Sequence, residues 1–347
     1  LKVDHGTIEN NGLVSMTDTI ASKNSTIGLY GRSGSKISNN ANGKIRINSL
    51  KEKRIGIAAL LTGTSAQEYG TDKLISNLIA TGGGNLPNTI KTIDITNNGE
   101  IEISGKAVGI YADNTSEIAR FNDHVTKENA VVNNNASLSF SGDESVGIYA
   151  KKAIVNLSGT GKDDISVGKN GIGVAAEDST VNLLTDYGFQ IKDNGVGLYA
   201  KNTDTSTGTM NVRYTGATTE VGTGAYFKGT GSNSLTNKLD INVDNISNTT
   251  KGMIGIYAKD ANFTNEGDIQ VINTDTLGFG IIAINNLVPN TKVINKGNIT
   301  LGDSSDPNKP NIGMYTHEKI ISLIPPIPPE LPYILENKGN IKVGKNG

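Results

Sequence analysis

The chain has 347 residues, 35% of them hydrophobic and 5% aromatic, with 42 glycines, 9 prolines, no cysteine and no tryptophan. Without cysteine there is no disulfide scaffold, thiol nucleophile or zinc-thiolate centre, and a formal net charge of −2 offers no general field for nucleic acid. No run of roughly eighteen apolar residues could span a bilayer as a helix, and the chain opens at Leu1 with no leader, so it reads as an interior fragment. An apolar content this low is thin for two or three compact domains. The core must be narrow or the chain partly disordered, and internal repetition decides for the narrow core.

In chain order, one short phrase recurs as Ile27-Gly28-Leu29-Tyr30, Ile55-Gly56-Ile57-Ala58, Val108-Gly109-Ile110-Tyr111-Ala112, Val146-Gly147-Ile148-Tyr149-Ala150 and Ile172-Gly173-Val174-Ala175. It continues as Val196-Gly197-Leu198-Tyr199-Ala200, Gly224-Ala225-Tyr226, Ile254-Gly255-Ile256-Tyr257-Ala258, Phe279-Gly280-Ile281-Ile282-Ala283 and Ile312-Gly313-Met314-Tyr315. A second phrase, Asn-x-Gly-x-apolar-x-apolar, alternates with it from Asn10, Asn97, Asn265, Asn295 and Asn337. A third, looser apolar stretch, such as Ala153-Ile154-Val155-Asn156-Leu157, follows the first phrase. From Gly109 to Gly313 the glycines of the first phrase are 38, 26, 24, 27, 31, 25 and 33 residues apart. Three short strands per period predict an all-β parallel β-helix, each period one coil that buries its apolar side only against its neighbours. About ten to twelve coils at ~4.8 Å each make a rod about 50 to 60 Å long.

Strand alternation within the first phrase is expected to turn Val108, Ile110 and Ala112 inward and Gly109 and Tyr111 outward, the bare glycine leaving room for the neighbouring ring. Seven of the 11 tyrosines share the outward slot: Tyr30, Tyr111, Tyr149, Tyr199, Tyr226, Tyr257 and Tyr315. Ala58, Ala175 and Ile282 interrupt it. Stacked coils would align these rings into a ladder, either structural or a docking stripe for carbohydrate or protein. In the second phrase Asn and Gly are expected to turn the chain through positive φ, and the Asn side chains to stack into amide ladders.

Three segments depart from the period within a single β-helix unit spanning 1–347. Residues 65–91 space Leu74, Ile75, Leu78 and Ile79 as one short amphipathic helix ended by Gly82-Gly83-Gly84. Residues 113–133 form a second excursion, and 317–335 a third, where Ile321, Leu323, Ile324, Ile327 and Tyr333 are interleaved with Pro325, Pro326, Pro328, Pro329 and Pro332. So aliphatic an arm is expected to cover the rod or to meet a partner.

Catalytic signatures are lacking. His5, His124 and His317 have no metal-ligand spacing, Gly31-Arg32-Ser33-Gly34-Ser35 has no neighbouring base, and the pairs Asp163-Asp164 and Glu177-Asp178 are adjacent in turns rather than aligned on one face. The reading is a non-catalytic protein with no cofactor and no metal.

The alternation of Val-Gly-Ile-Tyr-Ala-Lys with Asn-x-Gly-x-Ile-x-Ile over nearly the whole chain resembles the passenger regions of the very large type Va autotransporter adhesins of fusobacteria, of the galactose-binding or arginine-inhibitable type. The resemblance implies a right-handed parallel β-helix displayed on the bacterial surface and anchored through an outer-membrane β-barrel. It also implies attachment to a host cell-surface protein or glycan and to partner bacteria, by a monomeric segment. Candidate contact residues are Tyr111, Tyr149, Tyr199, Tyr226, Tyr257, Ile321, Leu323, Ile324, Ile327 and Tyr333. The rival expectations are a spacer stalk without a site of its own and a β-helix polysaccharide-active enzyme.

Overall fold

A computed structural model of the chain describes residues 1–4, 6–18, 25–32, 34–49, 53–60, 89–90, 93–115, 126–127, 130–216, 220–230, 234–246, 252–272, 277–285, 291–304, 307–308, 310–318 and 334–347. These residues wind into a parallel β-helix with three faces. The first face is an 11-stranded sheet whose strands carry the Gly-Tyr phrase, and the third is a second 11-stranded sheet. The second face is split into a 7-stranded and a 4-stranded sheet. Strands follow one another within each sheet in chain order, because each pairs in parallel with its equivalent one coil away: Val108–Asp113 lies between Lys53–Leu60 and Val146–Lys151. The resulting eleven coils fall within the expected range.

Side chains from the three faces meet in a narrow core. Ile57, Ile110, Ile148, Val174, Leu198, Ala225, Ile256 and Ile281 form one continuous buried row on the first face. Each large aliphatic buried here contributes about 1.5–3 kcal/mol. Beside that row Ala112, Ala150, Ala176 and Ala200 crowd the corner toward the second face, where the walls converge. Phe227 breaks this small-residue row and packs on Phe263 at 4.9 Å.

The phrase glycine does not face outward as alternation predicts. A Cβ built on Gly56 would stand 2.7 Å from the Gly109 carbonyl oxygen and 2.8 Å from Ile101 Cγ2, and one on Gly109 would stand 2.7 Å from Phe140 Cζ. The glycine therefore points into the core, alternation breaks between it and the following Ile, and Val108 is left half-buried. Glycine is required here because the third face and the next coil's backbone leave no room for a methyl group.

The second phrase also turns differently. Neither Asn97 nor Gly99, nor Asn265 nor Gly267, has a positive φ. Instead the ladder Asn, buried except for Asn337 at the end, bond from coil to coil, and several also bond along the chain. Asn265 Nδ2 donates to the Gly267 carbonyl at 2.7 Å and to Asn295 Oδ1 of the next coil at 2.8 Å. One ladder runs Asn10, Asn39, Asn97, Asn134 with links of 2.8, 2.8 and 2.7 Å. A second runs Asn237, Asn265, Asn295, Asn337 with links of 2.7, 2.8 and 2.8 Å. Leu157 and Leu183 occupy the aligned position after Asn134, whose amide turns instead to the hydroxyl of buried Tyr187 at 2.7 Å. The left-handed residues sit at other corners, as Lys152, Asp178, Asn202 and Asp260 just after first-face strands.

All three excursions leave the rod at the corner between the first and second faces. The first lies between strands Lys53–Leu60 and Asp94–Asn97, the second between Val108–Asp113 and Ala130–Asn134, and the third between Ile312–Glu318 and Ile334–Asn337. The second is shorter than expected, because Ala130–Asn134 is a regular rung aligned with Ala153–Leu157. Likewise His317 and Glu318, and Ile334 and Leu335, belong to strands rather than to the arm. Within 65–91 only Thr89–Ile90 are described, as a strand parallel to Thr126–Lys127, and the expected helix lies outside the described residues.

Candidate binding face

The outer side of the first face carries three parallel rows. The residue that opens each phrase, Ile or Val except at Thr223 and Phe279, forms a half-buried row, the tyrosines form the next, and the residue two places after each tyrosine forms a charged row beside the corner. Outward placement of the tyrosines agrees with the expectation from alternation, since Tyr111, Tyr149, Tyr199, Tyr226 and Tyr257 are half-buried and their aligned inner neighbours fully buried. Register brings these candidates together in two runs, Tyr111 with Tyr149 and Tyr199 with Tyr226 and Tyr257, separated by Ala175. Ile321, Leu323, Ile324, Ile327 and Tyr333 lie outside the described residues.

The two runs differ in ring geometry. Tyr111 and Tyr149 stack nearly parallel, at 5.0 Å between centroids and 16° between planes, so each covers a face of the other. Tyr199 and Tyr226 meet at 5.2 Å and 81°, and Tyr226 and Tyr257 at 4.8 Å and 77°. In each edge-to-face pair the ring that presents its edge keeps both of its faces clear of that partner. Burial pushes the Tyr149 phenol well above its ordinary range, with the Glu177 carboxylate adding to the effect. Tyr226 is pushed up to about 12 by burial, reinforced by Tyr257 and Tyr199. These hydroxyls stay protonated and serve as hydrogen-bond donors across the neutral range.

The charged row was not singled out from sequence. Along it Asp113, Lys151, Glu177 and Lys201 alternate in sign from rung to rung, and Lys201 pairs with Glu177 at 3.2 Å. Lys228 and Lys259 then follow Lys201 in direct register, so three ammonium groups occupy consecutive rungs. Among the described residues Lys228 and Lys259 form no ion pair. The sequence signal was the Lys that follows Tyr-Ala or Tyr-Phe, which a period of two carries to the tyrosine's own face.

Tyr187 and Tyr214 are tyrosines of another kind, fully buried on the third face. The Tyr214 hydroxyl donates to Asp193, and both phenols are raised chiefly by burial. Asp164 is likewise consumed by structure: its carboxylate accepts from the backbone N–H of Thr160, Gly161 and Gly188 at 2.9, 3.1 and 2.8 Å. Among the described residues no three His, Cys, Asp or Glu side chains converge as metal ligands, and no helix is long and apolar enough to cross a membrane. His5 and His124 lie outside the described residues. Compared with protein-family models the chain finds no match, and compared with curated proteins it finds none either.

Proposed function

We propose that this chain is a non-catalytic segment of a secreted, surface-displayed autotransporter passenger of the adhesin kind, attaching to host-cell proteins or glycans and to other bacteria. The observation that carries the reading is that all three excursions emerge from one corner, at the edge of the face that carries the outward tyrosine row. On a solenoid, insertions gathered along one edge mark the side that meets partners. The repeat phrases add to this through their likeness to fusobacterial adhesin passengers. The narrow rod is the means of display, and its core and amide ladders are fully engaged in holding the coils together.

The test is binding of the purified 347-residue chain to epithelial cells, to other bacteria and to a glycan array, alongside a variant in which residues 319–333 are replaced by a short Gly-Ser turn. Saturable binding supports an adhesin, and loss of it in the variant assigns contact to the arm. A folded chain that binds nothing favours the second reading, a spacer stalk. That reading is favoured by the Tyr111–Tyr149 stack, in which two of the candidate contact rings spend a face on each other.

A further inference from the structure

We propose that the outer face of three consecutive coils, presenting Tyr199, Tyr226 and Tyr257 beside Lys201, Lys228 and Lys259, binds an anionic polysaccharide laid along the rod axis. This rests on the adhesin reading and names its ligand class. Like charges on directly opposed rungs destabilise a sheet, and the preceding stretch of the same row avoids them by alternating Asp113, Lys151, Glu177 and Lys201. The alternation stops where Lys228 and Lys259 begin. Three carboxylates border the patch: Glu177 pairs with Lys201, Asp178 acts on the same lysine, and Asp260 is buried in the adjoining corner, so among the described residues Lys228 and Lys259 are left without an ion pair. An external polyanion supplies the missing counter-charge.

The aromatic geometry favours a sugar chain. Ring centroids on consecutive rungs lie 5.2 and 4.8 Å apart, close to the length of one pyranose ring, so a linear glycan meets one tyrosine and one ammonium at each sugar. The perpendicular rings leave apolar faces for the sugar C–H groups, and the phenols donate to hydroxyl or acid oxygens. An extended acidic peptide shows like-facing side chains every ~7 Å and falls out of step with the rungs. The site has limits: Ala175 and Glu177 bound it on one side, and Ile282 and Ile284 on the other. It spans roughly three sugar units.

The test uses the 347-residue chain with chondroitin sulfate, polygalacturonate, neutral dextran and a single-stranded oligodeoxythymidylate as probes, titrated over a salt series. The expected result is salt-sensitive binding of the sulfated and carboxylated glycans and none of dextran. Lys228→Gln and Lys259→Gln each weaken it roughly fivefold, Tyr226→Ala weakens it further, and Lys151→Gln leaves it unchanged. Absence of binding by folded protein, equal loss in Lys151→Gln, or equally tight binding of the oligonucleotide overturns the proposal. Cell attachment measured in the Lys228→Gln/Lys259→Gln double variant separates the two readings. Attachment retained while glycan binding is lost leaves the adhesin standing and refutes the platform as its contact. Glycan binding by the unmodified chain without any attachment leaves the platform standing and refutes the adhesin.

Discussion

Replacing Asn265 by Ala removes an interior rung of the second amide ladder. The side chain is fully buried, so water cannot take over its bonds. Three hydrogen bonds disappear: those to the Gly267 carbonyl and Asn295 Oδ1, and the one accepted from Asn237 Nδ2. Net losses of about 1 kcal/mol per bond, together with the desolvated groups left on neighbouring coils, predict a cost of about 3–5 kcal/mol. Because a repeat array can unfold in blocks, the assay pairs urea denaturation with hydrogen exchange of amides in strands Ser234–Asn237, Asn262–Asn265 and Lys292–Asn295. Protection should fall on these rungs first. Exposed Asn298, bonded to Asp268, is the control, and Asn298→Ala should cost within about 0.5 kcal/mol. The Asn265→Ala/Asn295→Ala double variant should cost less than the sum of the singles by roughly 1 kcal/mol, since they share a bond. An Asn265→Ala cost below about 1 kcal/mol would refute the view that the ladder holds the coils in register.

Other perturbations probe different parts of the rod. Gly255→Ala places a methyl 2.5 Å from Ile269 Cγ2 and 2.7 Å from the Gly280 carbonyl oxygen, and should cost about 2–3 kcal/mol in chemical denaturation, whereas Gly12→Ala meets nothing within 4 Å and should be neutral. Tyr149→Ala loses the parallel stack with Tyr111 and the cover it gives the sheet, and a cost of about 1–2 kcal/mol is expected from the same curves. Alkaline stability follows from the phenols. Tyr226 in the fold titrates at about 12, against an ordinary value of 10.0, so the unfolded chain releases its proton first. The resulting stability is complete below pH 10 and declines as pH rises toward 12, which absorbance of tyrosinate near 295 nm followed alongside circular dichroism will register as ionisation coupled to unfolding.

The β-helix was legible because each coil must solve the same burial problem with nearly the same residues, so the solution repeats as a phrase. The outward tyrosines were legible for the same reason, through a strand period of two. That period misleads at Gly109, where two successive residues face the core and a bare α-carbon is the only one that fits between Phe140 and the Gly147 backbone. The corner chemistry of Asn265 was legible in residue type and hidden in mechanism, since an amide that bonds both along the chain and across coils turns a corner without a left-handed residue. Tyr187 and Tyr214 fall outside the repeating slot, and their polar partners, Asn134 and Asp193, are 53 and 21 residues away in sequence. The lysine row was in plain view as letters. Its like-charge character emerged only from register, when Lys201, Lys228 and Lys259 were found on adjacent rungs.

The central claim is that the tyrosine-bearing face and the corner beside it contact a partner. Cell attachment of the 347-residue chain, compared with that of a variant carrying Tyr199→Ser, Tyr226→Ser and Tyr257→Ser and checked for an intact β-helix by circular dichroism, tests it most directly. The account predicts saturable attachment by the unmodified chain and loss of at least tenfold in the variant. Attachment of equal strength by both proteins would contradict it.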